Sequence, residues 1–170
     1  MKKVALMLMM LLLSGCAAPV WETVDDEIPG VEVASWVDEA YTVQIGMPSG
    51  IALTEERDGW QLYSTADGEL EVETRTFLAS DLDSAVRMVS GFEAEELTIL
   101  QTTRFDLPEY QFAWVAQTER GSRLYRADVV MNGTECYAVV CSRPEDAGND
   151  HDTEIRQVFA SFGLFTDEGV

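Results

Sequence analysis

Lysine occurs in this 170-residue chain only at Lys2 and Lys3, and histidine only at His151. With no second histidine and no later lysine, most catalytic triads lack a base or an orienting member. A single imidazole cannot build a zinc site without soft neighbours, and cysteine is limited to Cys16, Cys136 and Cys141. Glycine-rich loops of the kind that cradle phosphates are missing. So is a long apolar run: Val4–Leu13 falls short of the about 20 residues a helix needs to span a hydrocarbon core of about 30 Å. Positive charge is scarce, 11 basic residues against 31 acidic ones for a net charge of −20. A field of that sign excludes nucleic acid as a partner and repels anionic lipid surfaces. So many carboxylates also make chance pairs inevitable, which removes any signal for two-carboxylate glycoside hydrolysis.

What is present begins with a leader. Lys2 and Lys3 make a basic start, Val4–Leu13 an apolar run, and small residues flank a cleavage position, so residues 1–15 read as a signal peptide. Leu13-Ser14-Gly15-Cys16 resembles the lipobox of bacterial lipoproteins. That resemblance implies cleavage before Cys16 and a diacylglycerol on its thiol. A buried methylene contributes about 0.8 kcal/mol, so one acyl chain holds weakly and two hold stably. The expectation is a cell-membrane protein, lipid-anchored on the extracytoplasmic face through acylated Cys16. In envelopes with an outer membrane, an aspartate after the cysteine typically retains a lipoprotein on the inner one; here the residue is Ala17. Without Lys2 and Lys3 the net charge moves from −20 to −22, which keeps a tethered protein soluble and favours an envelope partner with a basic surface. Residues 16–40 read as an acidic stalk broken by Pro19, Pro29 and Gly30, with Val33, Trp36, Val37 and Ala40 spaced as a short helix against the domain.

The domain is placed at 41–165, with a tail at 166–170. Tyr41, Val43, Ile45 and Met47 alternate with polar or small residues as a half-buried strand, ended by Pro48. Asp58-Gly59 and Asp67-Gly68 mark turns between Ile51–Arg57, Trp60–Thr65 and Glu69–Leu78. Ser80 is an N-cap candidate for an amphipathic helix on Leu82, Ala85, Val86 and Val89, closed by Gly91. Leu97–Phe105 is a strand, and Pro108 separates it from a second over Glu109–Thr118. Gly121 turns into Ser122–Met131, and Asn132-Gly133 turns into Thr134–Ser142. With Asn132 and Gly133 as the central pair, Met131 faces Thr134. Tyr125, Ala127, Val129, Met131, Cys136, Ala138 and Val140 then share one face, and Leu124, Arg126, Asp128, Val130, Tyr137, Val139 and Cys141 the other. The second set is half polar along its first strand, so one face of the sheet is fully covered and the other partly. Ile155, Val158, Phe159 and Phe162 give a last helix before Gly163.

Cys136 and Cys141 fall on one strand about 16 Å apart and on opposite faces, which precludes a bridge. Two free, mostly buried thiols are expected. The acidic run around Asp146, Asn149, Asp150, Asp152 and Glu154 is the one stretch with metal-like chemistry, since calcium takes six to eight oxygen ligands. Its spacing departs from the EF-hand loop, and the simpler reading makes Asp150 or Asp152 the cap of the last helix. Tyr110, Phe112 and Trp114 alternate on one strand face and read as core rather than as a ligand-stacking platform. Asn132-Gly133-Thr134 matches a glycosylation acceptor but reads as a turn.

Taken in order, the strand ending in Met47-Pro48, the meander, the helix Leu82–Val89, the later strands and the closing Val158–Phe162 resemble the PsbP-like fold, as in envelope lipoproteins of the DcrB type. The resemblance covers about Tyr41 to Leu164. It implies an α+β domain, an antiparallel β-sheet of about seven strands in meanders flanked by two or three helices as an α/β/α sandwich, with no enzymatic activity, no catalytic residue and no cofactor. The function expected is that of a non-enzymatic lipoprotein, an envelope accessory or protein-interaction module. The alternative is a lipoprotein that binds a solute, or calcium at the acidic loop.

Overall fold

The computed structural model describes residues 41–166. The leader, Cys16, the stalk, including the short helix expected from Val33 to Ala40, and the tail beyond residue 166 lie outside the described residues. The chain runs through β1 (Tyr41–Gln44), β2 (Ile51–Arg57), β3 (Trp60–Thr65), β4 (Glu71–Leu78), α1 (Leu82–Ser90), β5 (Leu100–Arg104), β6 (Leu107–Thr118), β7 (Gly121–Asn132), β8 (Glu135–Pro144), α2 (Asp152–Ser161) and β9 (Gly163–Thr166). Seven strands form one sheet in the order β2-β3-β4-β8-β7-β6-β5, every neighbouring pair antiparallel. β1 and β9 form a separate two-stranded ribbon in which Tyr41 pairs with Thr166 and Gln44 with Gly163. The fold is α+β, as the element order implies. Among the described residues no helix is long and apolar enough to cross a membrane.

Each face of the sheet carries its own core. On the first face, Ala85, Val86 and Val89 of α1 pack on Phe112, Trp114, Ala127, Val129, Met131, Cys136, Ala138 and Val140. Period-two alternation sends these strand residues to one side and 3.6-residue spacing sends the helical ones to meet them. Trp114 stacks on Tyr125 with ring centroids 5.1 Å apart, so the alternating aromatics of β6 are core. On the second face, Ile155 and Val158 of α2, Phe162 and Leu164 cover Val72, Val130, Tyr137, Val139 and Cys141. The cysteines are free, buried and on opposite faces. Burial pushes the Cys136 thiol up to about 11 and that of Cys141 to about 12, so neither is a thiolate nucleophile at neutral pH.

The face assignment of the β7–β8 hairpin holds, but its register differs by two residues. Met131 pairs with Cys136 and Asn132 with Glu135, so the central turn residues are Gly133 and Thr134. Gly133, not Asn132, takes the positive φ of 61°, the glycine-first pattern of a type II′ turn. A slip by an even number leaves every side chain on its original side.

Other local expectations give way to nearby chemistry. Asp81, not Ser80, caps α1: its carboxylate accepts from the Ser84 amide at 2.8 Å, while Ser84 Oγ accepts from the Asp81 amide at 3.1 Å. Gly91 closes the helix at φ 80°. Neither Asp150 nor Asp152 caps α2. His151 occupies that position at φ 65° without a side-chain bond, and Asp152 is the first helical residue. Asp58-Gly59 is a two-residue turn, whereas Asp67-Gly68 sits in a longer loop before β4, which starts at Glu71. Pro108 lies inside β6 rather than before it, opposite Thr103 and short of the first β7 pair at Glu109. The turn ahead of it is Phe105-Asp106, both left-handed at φ 54° and 62°. Leu97 and Ile99 fall outside β5 and pack on the first-face core. The final surprise is β9, which the 41–165 reading leaves as the end of the domain without a pairing partner.

Candidate functional site

α2 and the ribbon cover the β4-β8-β7 part of the second face and the Arg104–Glu109 end of β5 and β6, and leave the rest of β6 and β5 open. Ala113 is exposed there, Val115 is 41% exposed and Leu100 is 61% exposed. At the boundary between covered and open halves, β7 places an aspartate in an otherwise apolar run, Ala127-Asp128-Val129-Val130. Asp128 is 1% exposed, and an ionised carboxylate is costly in such a place unless it is paired.

Its partner is Arg104, which projects from the end of β5. Nη2 donates to Asp128 Oδ2 at 3.1 Å, Nε donates to Glu109 of β6, and Nη1 donates to the Phe162 carbonyl at 3.1 Å. The guanidinium also lies 5.2 Å from the centre of the Phe162 ring. One arginine thus ties β5, β6, β7 and the end of α2 together. Gln111 adds a long hydrogen bond from Nε2 to Asp128 Oδ2 at 3.4 Å. Asp128 Oδ1 receives nothing, and among the described residues it is the buried side-chain nitrogen or oxygen left without a partner. Two carboxylates share one guanidinium, so the cluster is one positive charge short when both are ionised.

Burial first, then the contact with Glu109, push the Asp128 carboxyl up to about 7, against the opposing pull of Arg104. The folded chain therefore holds a proton that the unfolded chain, with a carboxyl near 3.8, has already released. Stability falls as pH rises between those two values, and the full cost is present above about 7. Asp128→Asn removes the titrating group and leaves Arg104 to pair with Glu109 alone. The variant is expected to be more stable than the parent by about 2 kcal/mol at pH 8, with little difference at pH 4, in urea denaturation. A variant that is less stable at pH 8 would mean that the ionised Asp128–Arg104 pair is a net asset.

Beside the cluster lies a cavity of about 290 Å³, whose lining includes Thr98, Leu100, Gln111, Arg126, Asp128 and Phe159. Arg126 stands two residues before Asp128 on the same face, exposed, its guanidinium 5.6 Å from the Phe159 ring centre. A larger, more open cavity of about 480 Å³ lies near the other end of the face, between β1 and the β2–β3 hairpin, lined by residues such as Tyr41, Arg57, Trp60 and Thr74. It contains no orphaned buried polar atom, and the smaller cavity holds the better-defined chemistry.

The acidic loop is placed elsewhere. Asp146, Asn149 and Asp150 are exposed around a single 3₁₀ turn, Glu145–Ala147, while Asp152 and Glu154 sit in the first turn of α2. Asp152 lies 3.5 Å from Arg143. Among the described residues no three acidic, histidine or cysteine side chains converge as metal ligands. Sequence reasoning missed Arg104, Glu109 and Asp128 as a unit. The available signal was the charged residue inside the apolar half of β7.

No protein-family model matches this chain, and no curated protein matches it either. Solved structures do share its architecture. A crystal structure from Bacteroides thetaiotaomicron VPI-5482 is 12% identical with a TM-score of 0.51 over 74% of this chain, which spans 46% of that protein. The solution structure of cyanobacterial PsbP (CyanoP) from Synechocystis sp. PCC 6803 is 12% identical with a TM-score of 0.54, over 75% of this chain and 88% of that one. LpqN, described as involved in cell envelope biogenesis of Mycobacterium tuberculosis, is 13% identical with a TM-score of 0.48, over 74% and 84%. The fold is PsbP-like.

Proposed function

We propose that this chain is a lipid-anchored extracytoplasmic protein without catalytic activity, a binding module of the cell envelope whose contact surface is the open half of the second sheet face. The observation that carries the reading is that open half. Leu100 lines a cavity there and, with Ala113 and Val115 of the neighbouring strand, stands uncovered on a face whose other half is packed under α2. Leu13-Ser14-Gly15-Cys16 supports the address, and Cys16 is the residue that would carry the lipid. The PsbP-like fold is compatible with an accessory role, and the acidic charge of the chain favours a partner with a basic surface.

Crosslinking in living cells followed by mass spectrometry tests the reading, with the parent chain beside Cys16→Ala and Val115→Arg. A reproducible partner is expected for the parent and is lost with either change. Absence of any partner in a crosslinking-competent sample, or a partner indifferent to both substitutions, refutes it. A second reading, solute binding, is favoured by the cavity that Arg126 and Asp128 both line and by the unpaired oxygen of the Asp128 carboxylate beside it.

A further inference from the structure

The cavity beside Phe159 has a charge on each side and an apolar wall between. Asp128 supplies a carboxylate whose Oδ1 has no donor, in a cluster with one guanidinium for two carboxylates. Arg126 supplies a guanidinium that makes no ion pair among the described residues, in a chain with 31 acidic side chains. Leu100 and Phe159 form the apolar wall.

From this we infer that the cavity binds a small zwitterion, an α-amino acid with an apolar side chain, its ammonium donating to Asp128 Oδ1 and its carboxylate accepting from Arg126. Arg126 and Asp128, two positions apart on one face of β7, both line the cavity, so a single small ligand can meet both. A simple amine would leave Arg126 unpaired, and a simple carboxylate would meet repulsion from Asp128. The ammonium supplies the positive charge that the Arg104–Glu109–Asp128 cluster lacks, beside an aspartate that is itself buried. The inference rests on the solute-binding reading and is independent of the tether and of any protein partner.

Isothermal titration of the full-length protein in detergent micelles at pH 8, where Asp128 is ionised, tests it, with L-leucine, L-leucinamide and N-acetyl-L-leucine as probes. L-leucine is expected to bind saturably with one site. Removing one charge, as in either derivative, weakens binding by about tenfold or more, the usual worth of one charge-assisted hydrogen bond. Arg126→Gln, at an exposed position that does not threaten folding, weakens L-leucine by a similar factor and erases its advantage over L-leucinamide. Asp128→Asn abolishes the preference for a free ammonium. No saturable heat with L-leucine at millimolar concentration overturns the inference, as does equal binding of N-acetyl-L-leucine. Neither result touches the crosslinking partner, whose loss or persistence is read separately.

Discussion

Arg104→Met is expected to cost about 3–5 kcal/mol of folding stability at pH 8, the range for removing one member of a buried ion pair. Methionine keeps much of the apolar stem but leaves Glu109 and Asp128, whose side chains are 5% and 1% exposed, facing each other without a cation. It also orphans the Phe162 carbonyl at the end of α2, so the helix loses its tie to the far edge of the sheet. The sign of the pH dependence follows from Asp128, whose carboxyl already holds its proton up to about 7 with the arginine present. Without that opposing charge it holds the proton more strongly. Acidification therefore relieves the lesion, and urea denaturation should show a smaller loss at pH 5 than at pH 8. Equal losses at both values would mean that Arg104 works through its packed stem and not its charge.

Arg123→Met should be comparably damaging for a different reason. This guanidinium is 5% exposed, faces Glu71 at 3.3 Å and donates to four oxygens: Gly68 O at 3.0 Å, Glu69 O at 3.1 Å, Ser142 O at 3.1 Å and Ser142 Oγ at 3.1 Å. Two of those carbonyls belong to the loop between β3 and β4, the Gly68 one in a buried contact and the Glu69 one in a partly buried contact. Replacing the donor leaves them unsatisfied at about 1–3 kcal/mol each, for a total near 3–5 kcal/mol. Leu70, 1% exposed at the end of that loop, is held in the second-face core only while the loop keeps its shape. Hydrogen exchange should report the loop opening before the rest of the domain does. Unchanged protection of the Gly68 and Leu70 amides, with a loss under about 1 kcal/mol, would show that Arg123 is dispensable.

How much of this was readable in advance depends on the distance over which each feature is determined. The two faces of β7 and β8 were legible because alternation is local, and they survive a wrong register because the error was even. α1 was legible from Leu82, Ala85, Val86 and Val89, although Asp81 displaced Ser80 at its cap because its carboxylate reaches the Ser84 amide. The Phe105-Asp106 turn was not, since nothing in a phenylalanine advertises a left-handed backbone. β9 was invisible for a longer-range reason: four residues become a strand only because β1, more than a hundred positions earlier, lies beside them. The same applies to the cluster at Asp128. With 31 carboxylates in the chain, no single aspartate stands out until Arg104, Glu109 and Phe162 are seen to meet around it.

The ribbon of β1 and β9 has a topological consequence. Tyr41 and Thr166 are cross-strand partners, so the described chain returns to within about 5 Å of the place where it starts. The domain is in effect a closed circuit with a single gap. A linker of a few residues across that gap would make it circular, and a new opening could then be cut at an exposed turn such as Gly133-Thr134 while every strand keeps its neighbours. Entry and exit side by side also let such a domain be spliced into the loop of another protein, with its fold hanging from two adjacent threads.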